Sequence, residues 1–151
     1  MKVSDILRVK GNTLFTVSSQ DALSGAVSIM ADHDIGSLVV MDQGKLVGML
    51  TFREVIKQLV KNGGAIGSSM VRDAMDSTPH TSGMDTELDE VRRMMLEHHA
   101  RYLPVMQDHM LMGVISFYDV AKAVVDSQNF ENKMLKAYIR DWPEGQEAAK
   151  N

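Results

Sequence analysis

Apolar positions along this chain switch between strand and helix spacing in a set order, and the order occurs twice. Leu14-Phe15-Thr16-Val17 is a short run of β-formers and predicts a strand. Ser18-Ser19-Gln20-Asp21 follows, and short polar side chains of this kind accept hydrogen bonds from the free N–H groups of a helix start. Ala22, Leu23, Ala26, Val27 and Met30 then fall at helical spacing and predict a helix over residues 21–32. Residues 35–41 form an apolar, β-branched run that reads as a buried strand. Asp42-Gln43-Gly44 is a turn signal, and residues 45–51 are the returning strand. Val55, Ile56, Leu59 and Val60 predict a second amphipathic helix over 52–61, which Asn62-Gly63-Gly64 ends because Gly tolerates left-handed backbone.

Adding 65 to these numbers reproduces the pattern. Matches fall at Leu38/Leu103, Val40/Val105, Met41/Met106, Leu46/Leu111, Gly48/Gly113, Leu50/Ile115, Thr51/Ser116, Phe52/Phe117, Glu54/Asp119 and Val55/Val120. Upstream, Thr16/Thr81, Leu23/Leu88 and Met30/Met95 continue them. A repeat of this length is one supersecondary unit built twice, and two units suit a closed pseudo-twofold pair better than a solenoid. The second unit opens at Val71-Arg72-Asp73-Ala74-Met75, echoing Val3-Ser4-Asp5-Ile6-Leu7 at an offset of 68. Its first helix is expected over 85–98, its hairpin over 102–116 and its closing helix over 117–126. The three-residue slip leaves the first unit a longer lead-in, Arg8-Val9-Lys10-Gly11-Asn12-Thr13. Phe130, Met134, Leu135 and Tyr138 predict a separate helix over 129–140, stopped by Trp142-Pro143 and followed by a frayed tail over 144–151. The expected organisation is a first repeat over 1–64, a second over 65–126 and a C-terminal helix and tail over 127–151. The fold class is α+β, each repeat a β-α-β-β-α unit with a mixed sheet.

Composition narrows the function classes. Charged residues at 24% and apolar ones at 44% are ordinary for a globular chain of 151 residues. No run of about 18 apolar residues could span a bilayer, and the N-terminus carries no signal-peptide pattern. The absence of cysteine excludes disulfides, thiolate metal sites and cysteine nucleophiles. A cytoplasmic protein without membrane insertion is expected. A net charge of −4 lacks the basic footprint of nonspecific nucleic-acid binding, yet leaves room for a small anion held locally. Thirteen methionines suit irregular core gaps, or an adaptable apolar surface.

The chemistry concentrates where a strand feeds a helix, at Gly113-Val114-Ile115-Ser116-Phe117-Tyr118-Asp119. The Ser116 hydroxyl can donate to a phosphate near free helix N–H groups, and the two oxygens of Asp119 can accept from a vicinal diol. The same pair also fits a plain helix cap with a first-turn acid. Spacing leaves both open. Glu97-His98-His99 does not converge on a metal, and no nucleophile elbow, Walker loop or dinucleotide fingerprint occurs.

The duplicated pattern resembles a tandem pair of cystathionine-β-synthase (CBS) domains, a Bateman module. Three signatures carry the resemblance through residue 126. They are the opening Val-x-Asp, the strands around Ile35-Gly36-Ser37-Leu38-Val39-Val40 and Ala100-Arg101-Tyr102-Leu103-Pro104-Val105, and the closing Gly48-to-Val55 and Gly113-to-Val120 segments. The resemblance implies two sheets packed face to face, with adenosine-containing ligands (AMP, ATP, NAD(H) or S-adenosylmethionine) held between the repeats. AMP is the foremost expectation, as a regulatory ligand and not a required cofactor. It further implies a stand-alone, non-catalytic sensor, a homodimer, and a separate regulated protein partner.

Carried over by position, one cleft would use Val114, Ser116, Tyr118 and Asp119 with Lys10, Thr13, Phe15, Ile35 and Gly36. Phe15 and Ile35 would face adenine. The other would use Thr51, Arg53 and Glu54 with Pro79, His80, Ala100, Arg101 and Tyr102. Glu54 departs from the family's usual Asp, which implies a looser or displaced ribose contact there. Arg101 suits a phosphate by its fork of donors, or is an ordinary surface arginine. The competing reading is a structural module whose clefts bind nothing.

Overall fold

The computed structural model describes residues 1–11 and 13–141. Its elements are α1 (Val3–Lys10), β1 (Thr16–Val17), α2 (Leu23–Asp32), β2 (Ser37–Asp42), β3 (Lys45–Thr51), α3 (Phe52–Lys61), α4 (Val71–Ala74), β4 (Ser82–Gly83), α5 (Leu88–His98), β5 (Tyr102–Gln107), β6 (Met110–Ser116) and α6 (Phe117–Asp141). They build two three-stranded sheets, ordered β1-β2-β3 and β4-β5-β6. In each, the short first strand runs parallel to the second, and the second and third form an antiparallel hairpin.

The duplication extends to irregularities. Both hairpins shift register at equivalent points, between Val40 and Met41 and between Val105 and Met106. Both turns have two residues at positive φ, Gln43-Gly44 and Asp108-His109. That backbone matches strand twist in a tight hairpin, although the second turn adopts it without glycine.

Tertiary packing crosses the two repeats, a feature their linear order conceals. Val3, Ile6 and Leu7 of α1 lie in the core of the second repeat, with Leu88, Val91, Met95, Leu103 and Ile115. Val71 of α4 lies in the core of the first, with Leu23, Met30, Leu38 and Leu50. Backbone bonds secure each exchange: Val3 N–H donates to Thr86 O at 2.9 Å, and Val71 N–H to Asp21 O at 2.9 Å. Full burial of each such side chain contributes about 1.5–3 kcal/mol, so neither half keeps its core without the other's opening helix. A third cluster forms the seam between the sheets. It joins Val39, Met49 and Val114, with Leu14, Leu46, Tyr102 and Leu111 packed against them.

Several elements differ from the sequence expectation. Ser127 does not break the chain: α6 runs unbroken from Phe117 to Asp141, and the predicted separate helix is its second half. No Gly or Pro stands in that span, and Ser, Gln and Asn lower helix propensity too little to stop a helix already propagating. The first strand shrinks to Thr16–Val17, and α2 starts at Leu23 because Asp21 instead accepts the Ser18 N–H at 2.9 Å. α5 likewise starts at Leu88. The lead-in through Lys10 is helical. Asn12, the Trp142-Pro143 stop and the 144–151 tail lie outside the described residues. Most methionines serve the core: Met30, Met49 and Met95 are buried, while Met110 and Met134 are exposed.

Candidate functional site

Each repeat delivers a hydroxyl and an acid to the point where its last strand becomes a helix. At the second, Ser116 N–H donates to Asp119 Oδ2 at 2.8 Å, and Asp119 N–H donates to Ser116 Oγ at 3.1 Å. This is a reciprocal capping box. At the first, the Thr51 N–H and hydroxyl both donate to Glu54 Oε1, at 3.1 and 2.7 Å. The helix-cap reading of these pairs therefore holds at both ends. At Asp119 there is more.

Lys10 reaches across from the end of α1. Its ammonium donates to Asp119 Oδ2 at 2.7 Å and to the Val114 carbonyl at 2.8 Å. The Asp119 side chain is 16% exposed and that of Lys10 is 35%. Burial pushes the Asp119 carboxyl upward, but the Lys10 and Ser116 hydrogen bonds and the Lys10 charge outweigh it, leaving the pKa below its ordinary value. Oδ2 takes both donors, and Oδ1 accepts no hydrogen bond among the described residues.

The geometry explains why Val114 is there to be bound. β6 is an edge strand, and backbone groups on its free side need partners. At the equivalent edge residue, Met49, the Asp76 backbone supplies both: Met49 N–H donates to Asp76 O at 2.9 Å and Asp76 N–H to Met49 O at 2.8 Å. At Val114 a lysine side chain takes the carbonyl instead. Lys10 and Asp76 thus do corresponding work at corresponding edges with different chemistry.

Other predicted residues scatter around the seam. Gly36 faces the second repeat, where a Cβ would collide with the Tyr102 hydroxyl and lie 3.4 Å from Phe52. The sequence reading places Gly36 and Tyr102 in different clefts; the structure puts them against each other. Arg101, assigned to the Glu54 cleft, has its carbonyl bonded by Phe117 N–H at 2.7 Å, so its backbone adjoins the start of α6. Phe15 stacks on His33 with centroids 4.3 Å apart and, with Ile35, packs on the first core. His80 stacks on His98 at 3.8 Å. Pro79 is half-buried, and Ala100 packs on the second core. Thr13, Arg53 and Tyr118 are exposed, and none of them bonds either carboxylate among the described residues.

Sequence reasoning missed Phe52 at the seam, the Asp76 edge and the two ring stacks. The stacks had a signal, since Phe15/His80 and His33/His98 are equivalent pairs at the offset of 65. Among the described residues no cluster of three or more His, Asp or Glu could hold a metal ion, and no helix is long and apolar enough to cross a membrane. A depression of about 500 Å³ opens over the connector beside Gln58, Asn62 and Asp73, and contains none of the predicted site residues.

Two repeats of one topology, exchanged opening helices and a hydroxyl-acid pair at each strand-to-helix junction define the class. The family model for the CBS domain matches residues 3–61 and again 71–126. The chain belongs to the CBS domain family, as a tandem pair. The mitochondrial CBS domain-containing protein CBSX3 of Arabidopsis thaliana is 29% identical over 147 residues, covering 91% of this chain and 71% of that protein. The solved CBS-domain protein ATU1752 of Agrobacterium tumefaciens is similar at a TM-score of 0.78 and 30% identity, over 82% of this chain and 98% of that one. The CBS domain pair of protein MJ0100, in complex with 5′-methylthioadenosine and S-adenosyl-L-methionine, is similar at 0.74 and 25%, over 84% and 98%.

Proposed function

We propose that this chain is a regulatory module that binds an adenosine-containing ligand at the seam, through the ribose diol at Asp119. One observation carries the reading. A largely buried carboxylate at a helix start keeps one oxygen without a hydrogen-bond partner among the described residues, and a neighbouring cation holds it charged. An ionised carboxylate accepting two hydroxyls suits a vicinal diol, because charge-assisted hydrogen bonds are the strong ones. The MJ0100 pair, similar in fold and 25% identical, supports the ligand class by the adenosine compounds in its structure. AMP leads, with ATP and NAD(H) sharing the same ribose and adenine. Binding across both repeats shifts the population between two arrangements, provided the ligand prefers one of them. The module itself turns nothing over.

A homodimer is part of the proposal. Phe52, Ile56 and Val60 form an exposed apolar stripe on α3, and Phe117 and Val125 the equivalent one on α6. Contiguous apolar surface of this kind marks an interaction face, here for a second copy in the cytoplasm and, through it, for a regulated protein. Isothermal titration of the chain with adenosine and AMP tests the ligand reading. Asp119→Ala should weaken binding by roughly 2–3 kcal/mol, about 30- to 150-fold, and Glu54→Ala by less than threefold. Failure of every adenosine compound to bind or raise the melting temperature at millimolar concentration would leave a scaffold.

A further inference from the structure

We propose that Lys10 makes the Asp119 end selective by charge, favouring anionic adenosine nucleotides over uncharged adenosine thioethers and cationic sulfonium compounds. The inference rests on the reading of that end as the adenosine site and goes on to name the ligand class.

A lysine ammonium has three donors. Two are engaged here, by Asp119 Oδ2 and the Val114 carbonyl. The third has no partner among the described residues, and the side chain is partly open to solvent. A group recognised by Asp119 therefore arrives within reach of a positive charge on a flexible four-carbon stem. A phosphate on the 5′ carbon can take that free donor, or draw the ammonium from Asp119 and release Oδ2 to the diol. A sulfonium in the same position meets a like charge in a partly buried setting, where screening is weak.

The Glu54 carboxylate has no cationic partner among the described residues, and the Asp76 backbone occupies the strand edge where Lys10 would sit. The selectivity belongs to one end of the seam.

Titration calorimetry of the full chain with AMP, adenosine, 5′-methylthioadenosine and S-adenosylmethionine tests it. AMP should bind at least tenfold more tightly than methylthioadenosine, and S-adenosylmethionine most weakly of the four. Lys10→Gln, checked by melting temperature for intact folding, should narrow the AMP-to-methylthioadenosine ratio below threefold, whereas Lys10→Arg should retain it. Equal binding of AMP and S-adenosylmethionine by the wild-type chain would overturn the charge filter, as would a Lys10→Gln variant that loses affinity for all four ligands in proportion. Either result leaves adenosine binding in place. If no adenosine compound binds, the underlying site reading fails, and the filter with it.

Discussion

The Glu54 and Asp119 ends of the seam are built from the same duplicated segment, yet they differ in what closes the outer strand. At Met49 the connector backbone pairs with β3 through Asp76, while at Val114 the lysine at the end of α1 covers the β6 carbonyl and reaches the acid. The cause is the three-residue slip between the two lead-ins. In the first unit, helix α1 extends to Lys10 and carries a long side chain to the seam; in the second, α4 ends at Ala74 and the chain runs extended along the edge. Duplication reproduces a fold faithfully. A small change in linker length then decides which copy has a cation to give its acid.

Three pairs of substitutions would break or sharpen this contrast. The largest effect is expected from Leu7→Ala, which removes a side chain 5% exposed in the second core and in contact range of Gly113. Equilibrium urea unfolding should show a loss of about 2–4 kcal/mol. The corresponding Met75→Ala should cost less, because Met75 is only partly buried. Equal losses would mean the two lead-ins are energetically equivalent.

Next come the paired glycines. A Cβ at Gly48 would meet the Asp76 carbonyl at 2.7 Å, a backbone atom held by the edge pairing. A Cβ at Gly113 would meet only the Leu7 side chain, 3.0 Å from its tip, which needs to give by a few tenths of an ångström rather than displace backbone. Gly48→Ala should destabilise by about 2–3 kcal/mol and Gly113→Ala by about 1 kcal/mol or less, read from denaturation midpoints. The reverse order would place the rigid edge at the wrong end.

The smallest effect concerns the ion pair. Because the folded-state pKa of Asp119 is lowered, its contribution is fully present above the ordinary value of 3.8 and fades as pH falls through the folded value. A double-mutant cycle with Lys10→Ala and Asp119→Asn should give about 1 kcal/mol at neutral pH, modest because Lys10 is partly exposed. That coupling should shrink progressively in more acidic buffer. A coupling independent of pH down to the unfolding limit would contradict a charge interaction.

Much of the fold was legible because its signals are local. Hairpin turns, alternating apolar runs and the hydroxyl-acid junctions at Thr51/Glu54 and Ser116/Asp119 are written in neighbouring residues, and their recurrence at 65 made each copy a check on the other. Local signals also misled. The closing helix was expected to end at 126 and a separate one to start at 129, but a helix already anchored by Val120 against the second core continues through weak formers. For the candidate site, the acid and hydroxyl were visible as a motif and the family resemblance grouped Lys10 with Asp119, whereas the bonds Lys10 makes to Asp119 and Val114 join residues more than a hundred positions apart and needed the structure.

By itself, then, the amino-acid sequence determined the duplicated unit, the order and type of most elements, and the side chains that stand at each strand-to-helix junction. These depend on propensity, periodicity and capping over a few residues. Tertiary structure alone decided that α1 and α4 exchange cores, that Tyr102 lies over Gly36, and that the Lys10 ammonium bonds both the Asp119 carboxylate and the Val114 carbonyl. Those outcomes turn on which surfaces meet when two sheets close on each other, and side-chain periodicity within either repeat carries no information about that meeting.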